Sequence, residues 1–413
     1  MIRKLWLFIA IPLLLLAGLF LFLGQDRAIE LALVQDAILP TETTVEDPNP
    51  NNDIGPQLPL ANPPEVIKAL YATSWSAGSS KKMAYFLDLI ANTKANALVI
   101  DVKDYTGVVS YHTDIEKVKE YNASEQRILR PNALIKKLHD NGIYVIARIS
   151  VFQDFQFAKM RPDLAVHSSS TGSVWQDRKG QTWMDASASE VWDYNIAIAQ
   201  DALDRGFDEI NFDYIRFPSD GDMNDIIYTH WDGRTPRAEV IRQFFEYLRY
   251  KLPTAKMSAD FFGYTTLHND DLGIGQIIEN AMPYFDAIAP MIYPSHYVKG
   301  HLGFDKPAEH PYDVIKNSMD SAIAKTLAFA AKSTTTPVAT LRPWLQDFDL
   351  GADYDAEKVR AQIKAWEDAA VGTPELMSGW MMWNASNIYT ADGLRPEPAT
   401  TSPETIQEND VSS

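Results

Sequence analysis

The stretch GFDEINFDYIRFPSDG, residues 206–221, sets Asn211, Asp213 and Arg216 among residue types that favour a buried strand. A carboxylate flanked by aromatic residues there costs free energy unless it is paired or used. Period-two alternation puts Glu209, Asn211 and Asp213 on one face and Ile210 and Phe212 on the other. A second inward carboxylate, Asp260, comes from KMSADFFG, residues 256–263. If these strands are neighbours, their ~4.8 Å spacing can bring the two carboxyl groups to the ~5–5.5 Å of retaining glycoside hydrolysis, whereas ~6.5–9.5 Å would mean inversion. In the retaining chemistry Asp213 would attack the anomeric carbon. Asp260, its pKa raised by burial or by the first charge, would act as acid and base at the leaving oxygen.

The same alternation supplies the rest of an expected site. Asp101 and Lys103 point inward from ALVIDVKD (97–104), and Arg148 does so from YVIARISVF (144–152). Tyr293 comes from AIAPMIYP (287–294), Arg342 and Trp344 from VATLRPWLQ (338–346), and Trp383 from GWMMWNAS (379–386). Lys103, Arg148 and Arg342 would keep the nucleophile ionised and meet sugar hydroxyls. Tyr293, Trp344 and Trp383 would present flat faces to pyranose rings. Arg216 and His296 join this substrate-binding set, His296 from the loop after the sixth strand. Asp101 either pairs with Lys103 or Arg148 or is the alternative second catalytic group. The segment at about 154–190 is long for a connection between a barrel strand and its helix. Its Trp175 and Trp183 are expected to line a wall of the substrate groove, the alternative being a self-packed flap over the mouth.

These strands need a frame that brings their C-terminal ends together. Eight β-rich runs alternate with amphipathic helical patterns such as KKMAYFLDLIANT and RAEVIRQFFEYLRYKL. This order predicts a parallel sheet closed into a (β/α)8 TIM barrel, with the site at the C-terminal end of the strands. An open doubly wound sheet fits less well, because no Gly-rich phosphate loop follows the first strand. The barrel is expected over residues 65–395, preceded by a polar, acidic, Pro/Asn-rich linker at 25–64 and followed by a disordered tail at 396–413. Residues 1–24 hold Arg3 and Lys4 before an uncharged run of 19 residues, Leu5 to Leu23. That length spans a bilayer, so an N-terminal membrane anchor with the barrel outside the cytoplasm is expected, and secretion if the segment is cleaved.

Composition removes other classes. The 413 residues carry a net charge of −18, and no basic run interleaves with aromatics, so nucleic acid is not an expected partner. There is no cysteine, and the eight histidines show no ligand spacing, so neither a metal nor a cofactor is expected. G-x-S-x-G is absent, which argues against an esterase. The remaining competitor is a non-catalytic barrel that binds and organises envelope polysaccharide.

VIDVKDYTG (99–107), GFDEINFDYIRFP (206–218), APMIYPSHY (289–297), HPYDVI (310–315) and LRPWLQDF (341–348) occur in an order that resembles a bacterial glycosyl hydrolase-like family, long catalogued as a domain of unknown function. The resemblance extends over nearly all of 66–391 and includes VWQDRKGQTWMDASASEVWDY after the third strand. It implies a (β/α)8 barrel and glycosidase activity on a polysaccharide or oligosaccharide. A more distant similarity is to chitinase-type hydrolases, whose fourth strand carries Asp-x-Asp-x-Glu. Asn211, Asp213 and Ile215 occupy those places here, and the terminal Glu is absent. The acid is therefore expected from a later strand.

Overall fold

The structure, a computed structural model, describes residues 52–332 and 337–396. Eight parallel strand positions form one closed barrel. They are β1 (Ile67–Ala72), β2 (Ala97–Lys103), β3 (Tyr144–Ser150), β4 (Glu209–Asp213), β5 (Met257–Phe262) and β6 (Ala287–Met291). β7 comes in two pieces, Thr340–Leu341 and Trp344–Gln346, and β8 is Gly379–Trp383. Both pieces of β7 pair with β6, the second also pairs with β8, and β8 pairs with β1. Every expected strand is present. The fourth is shorter than its apolar run because Tyr214 has φ of 54°, a left-handed conformation that ends extended pairing.

Six longer helices surround the barrel: α1 (Ser80–Ala91), α2 (Pro131–Asp140), α3 (Ser189–Arg205), α4 (Arg237–Lys251), α5 (Pro311–Ala330) and α6 (Ala356–Ala369). Between β5 and β6 lie only short turns of helix, a 3-10 turn at Gly263–Thr266 and a one-turn α-helix at Ile278–Ala281, among the described residues. The outward faces of the strands and the apolar stripes of the helices make the larger core, with Ile100, Ile149, Phe212, Phe244 and Trp366 among its buried members. A separate, smaller core fills the barrel's interior with Ile67, Ala69, Val99, Ile146, Ala289 and Met381. This division follows from period-two alternation in a sheet covered on both faces.

Two segments differ from expectation. Residues 53–60 were expected in the linker but form a strap. The Asp53 carboxylate accepts from the Asn132 and Ala133 amides at 2.8 and 3.0 Å, capping α2, and the Leu60 amide donates to Asp208 at 2.6 Å. Leu60 itself packs against the interior core. The expected membrane segment, residues 25–51 of the linker and nearly all of the expected tail lie outside the described residues. Among the described residues no helix is long and apolar enough to cross a membrane.

The segment after β3 is a self-packed flap. His167–Ser168 pairs antiparallel with Ile226–Ile227 from the segment after β4, joining the two insertions. Asp225 reinforces the join by accepting from the Ser168 and Ser169 hydroxyls at 2.6 and 2.8 Å.

Candidate active site

Arg148, pointing inward from β3, gathers carboxylates from three other strands. Its Nη1 donates to Asp101 of β2 at 2.6 Å, its Nη2 donates to Asp213 at the end of β4, and its Nε lies 3.9 Å from Asp260 of β5. Asp213 and Asp260 share a level because β4 and β5 pair Asn211 with Ser258 and Phe212 with Ala259, so the next residues in register are these two. A parallel sheet with one face turned inward converts two separate sequence motifs into one acidic pair. The alternation in the sequence foretold the inward placement of all four charged residues.

Asp260 is 1% exposed. Its Oδ1 accepts from Asn211 Nδ2 at 2.8 Å and from Trp344 Nε1 at 2.7 Å. Burial, and then the charge of Asp213, hold its pKa well above the carboxylate range, against the opposing pull of Arg148. Asp213, 5% exposed, differs in environment: Oδ2 meets Arg148 and Oδ1 accepts from the Tyr214 amide at 2.6 Å. Burial also raises Asp101, although Arg148 and a 2.5 Å hydrogen bond from the Tyr71 hydroxyl pull the other way. Two adjacent carboxyl groups are thus held differently, one paired with a guanidinium and one buried with a raised pKa.

Aromatic rings border this cluster. Trp383 is half-buried, stacks on Tyr71 with ring centres 3.9 Å apart, and lies 5.2 Å from the Arg148 guanidinium carbon. Burial, and then the charges of Asp260 and Asp213, raise the pKa of Tyr293. His296 is exposed beside Tyr293, and partial burial and then the charge of Lys179 lower its pKa. Tyr71 went unnoticed in the sequence although the inward face of β1 carries it. ALYATSW has no charged residue to draw attention, and alternation alone would have identified it.

Five expected site residues are placed otherwise. Lys103 does not face the mouth, because a bulge between Asp101 and Lys103 shifts the register and turns it outward. There it pairs with Asp154 at 2.8 Å and donates to Asn195 of α3 at 3.0 Å, fully buried. Arg342 lies a layer deeper, where it pairs with Glu209 at 2.8 Å alongside Ser258 and Tyr144. Trp344, 1% exposed, has no free face for a sugar and instead holds Asp260 through its indole N–H. Trp183, 2% exposed, does not line a groove: it stacks edge-on with Tyr214 and lies 4.7 Å from the Arg216 guanidinium carbon. Trp175 is likewise buried, donating to the Asp222 carbonyl at 3.2 Å.

A closed (β/α)8 barrel with carboxylates and aromatic rings at the C-terminal ends of its strands is an architecture on which glycosidases are built. The chain belongs to the family described as "Putative glycosyl hydrolase domain", whose model matches residues 69–389. Among solved structures it is similar to the PgaB (BpsB) glycoside hydrolase domain from Bordetella bronchiseptica, at 12% identity over 78% of this chain and 95% of that one, with a TM-score of 0.52. It is also similar to a hypothetical protein from Ruminiclostridium thermocellum ATCC 27405, at 36% identity over 49% of this chain and 98% of that one, with a TM-score of 0.43. The glycoside hydrolase domain of PelA from Pseudomonas aeruginosa matches at 12% identity over 79% and 97% of the two chains, with a TM-score of 0.42. No curated protein matches.

Proposed function

We propose that the protein hydrolyses glycosidic bonds in a polysaccharide or oligosaccharide, with Asp213 as nucleophile and Asp260 as acid/base. The observation that carries this reading is the difference between two carboxyl groups at the same level of adjacent strands. Asp213 is charge-compensated by Arg148 and available for attack. Asp260, its pKa raised by burial, would deliver its proton to a leaving oxygen from Oδ2, which accepts no hydrogen bond among the described residues. Asp101 and Tyr71 fix Arg148, and Trp383 with Tyr293 provides the aromatic surface for a sugar ring. The mechanism is retaining, and the products carry the anomeric configuration of the substrate. The N-terminal apolar run supports an anchored, outward-facing protein acting on envelope or extracellular glycan.

The test is reducing-end release from a panel of envelope and extracellular polysaccharides, with NMR of the first-formed anomer. Asp213→Asn and Asp260→Asn are each expected to lower kcat/KM by about 10²–10⁴-fold with binding preserved. Activity retained in either variant would remove that residue from its role. A second reading, a carbohydrate-binding barrel without hydrolysis, draws on the near-complete burial of both carboxylates in one ion-pair network. Glycan binding without product from any polymer would favour it.

A further inference from the structure

Arg148 and Arg342 each meet carboxylates, and Arg127 pairs with Asp104 and Glu125. Arg216 is the exception. It is 7% exposed and has no carboxylate within ion-pair distance among the described residues. Its guanidinium carbon lies 4.5 Å from the ring centre of Phe262, 4.7 Å from that of Trp183 and 5.3 Å from that of Tyr214, the neighbour of Asp213. Only Nη1 is engaged, donating to the Phe217 carbonyl at 3.1 Å and the Ser219 hydroxyl at 2.9 Å. Nε and Nη2 donate to no described group, yet neither is among the sealed, unpartnered atoms, so both border accessible space.

The nearest acids are committed elsewhere. Asp213 is paired with Arg148, and Asp177 accepts from the Lys179 and Gln181 amides at 2.9 and 3.0 Å. Removal from water pulls the Arg216 pKa down to about 10, although Tyr214, Asp213 and Asp177 oppose that shift. A cation held in an aromatic cage without a counterion is a costly arrangement for a purely structural residue. The free edge, Nε beside Nη2, is the planar fork that matches the two oxygens of a carboxylate.

We infer that Arg216 binds a carboxylate carried by the substrate, so that the glycan is a uronate-bearing polymer with an acidic sugar placed beside the cleavage site. The inference rests on the glycosidase reading for the word substrate, and the binding site stands on the geometry of Arg216. A phosphate or sulfate ester can meet the same fork, so the sulfated and phosphorylated glycans are the comparison that singles out the carboxylate.

Binding to the full chain decides the matter. Homogalacturonan, alginate and glucuronan fragments are each compared by calorimetry with their carboxyl-reduced forms, and a sulfated and a phosphorylated glycan are run alongside. At least one polyuronate is expected to bind about tenfold or more tightly than its reduced form, with the preference shrinking as salt rises. Arg216→Gln should abolish that preference, and Arg216→Lys, which keeps the charge but loses the fork, should weaken it. Circular dichroism confirms that each variant is folded, and the salt series on the unaltered chain needs no variant. No polyuronate exceeding its reduced form, a preference that survives in Arg216→Gln, or stronger binding of the sulfated or phosphorylated glycan overturns the inference. Cleavage of a reduced glycan without preference for the acidic form sinks this inference and leaves the hydrolase reading intact. Arg216-dependent binding of a polyuronate without cleavage does the reverse.

Discussion

Asp260 carries two pH dependences that run the same way, one in activity and one in stability. As an acid it works only while protonated, so kcat/KM should fall as pH rises through its raised value, giving a basic limb above the ordinary carboxylate range. Its folding contribution has the same sign. A folded pKa raised above the unfolded value of about 3.9 gives stability that is fully present below that value and lost as pH rises through the folded one. Asn at 260 stays neutral and can still accept from Asn211 and Trp344, while Arg148 retains Asp101 and Asp213. The variant Asp260→Asn is therefore expected to melt higher than the unaltered protein at pH 8 and close to it at pH 4. Melting curves at the two pH values check this, and a variant that is less stable at pH 8 would show that Asp260 is ionised in the fold. The inward direction of Asp101, Arg148, Asp213 and Asp260 was legible because strand alternation alone sets it. The use of Trp344 was not. Alternation says that a ring points inward, but whether its faces are covered depends on side chains from β1 and β8, far away in the chain.

At the scale of elements, the bulge in β2 matters most. One extra residue between Asp101 and Lys103 sends the first into the barrel and the second into the layer between β3 and α3. A strict period of two cannot reveal such a slip, so the sequence placed both inward. Lys103 is consequently a structural cation with three partners, Asp154, Asn195 and the Ser150 carbonyl. Lys103→Met should cost about 3–5 kcal/mol, since it leaves Asp154 buried without its charge partner. The double variant Lys103→Met/Asp154→Leu should recover much of that. Urea denaturation of the single and double variants measures the difference, and a neutral single variant would contradict the assignment. The loop that follows is equally constrained: Gly107 has φ of 80°, and a Cβ there would fall 1.8 Å from Asp154 Oδ1.

For the whole molecule, the alternation of eight strands with helices was readable along the chain, and the closed barrel agrees with it. The boundary at residue 64 was drawn too late, because the strap is polar and Pro-rich and looks like a linker. What orders it is a set of distant partners, Asn132, Ala133 and Asp208, that composition does not register. Asp53→Ala should cost about 1 kcal/mol through loss of the α2 cap. A chain starting at Pro64 should lose more, since Leu60 and its bond to Asp208 go too. Denaturant midpoints of the two forms against a chain starting at Asn52 test this, and equal midpoints would show the strap to be incidental. The closure of the barrel also bears on how the protein is made. Ile67 of β1 pairs with Gly379 of β8, 312 positions later (379 minus 67). A ribosome or translocon delivers β1 long before its last neighbour, so the growing sheet carries an unpaired edge until the final strand emerges. Shielding that edge during biogenesis is a task for chaperones, and synthesis that stops short of residue 383 leaves a sticky, open sheet in place of a smaller barrel.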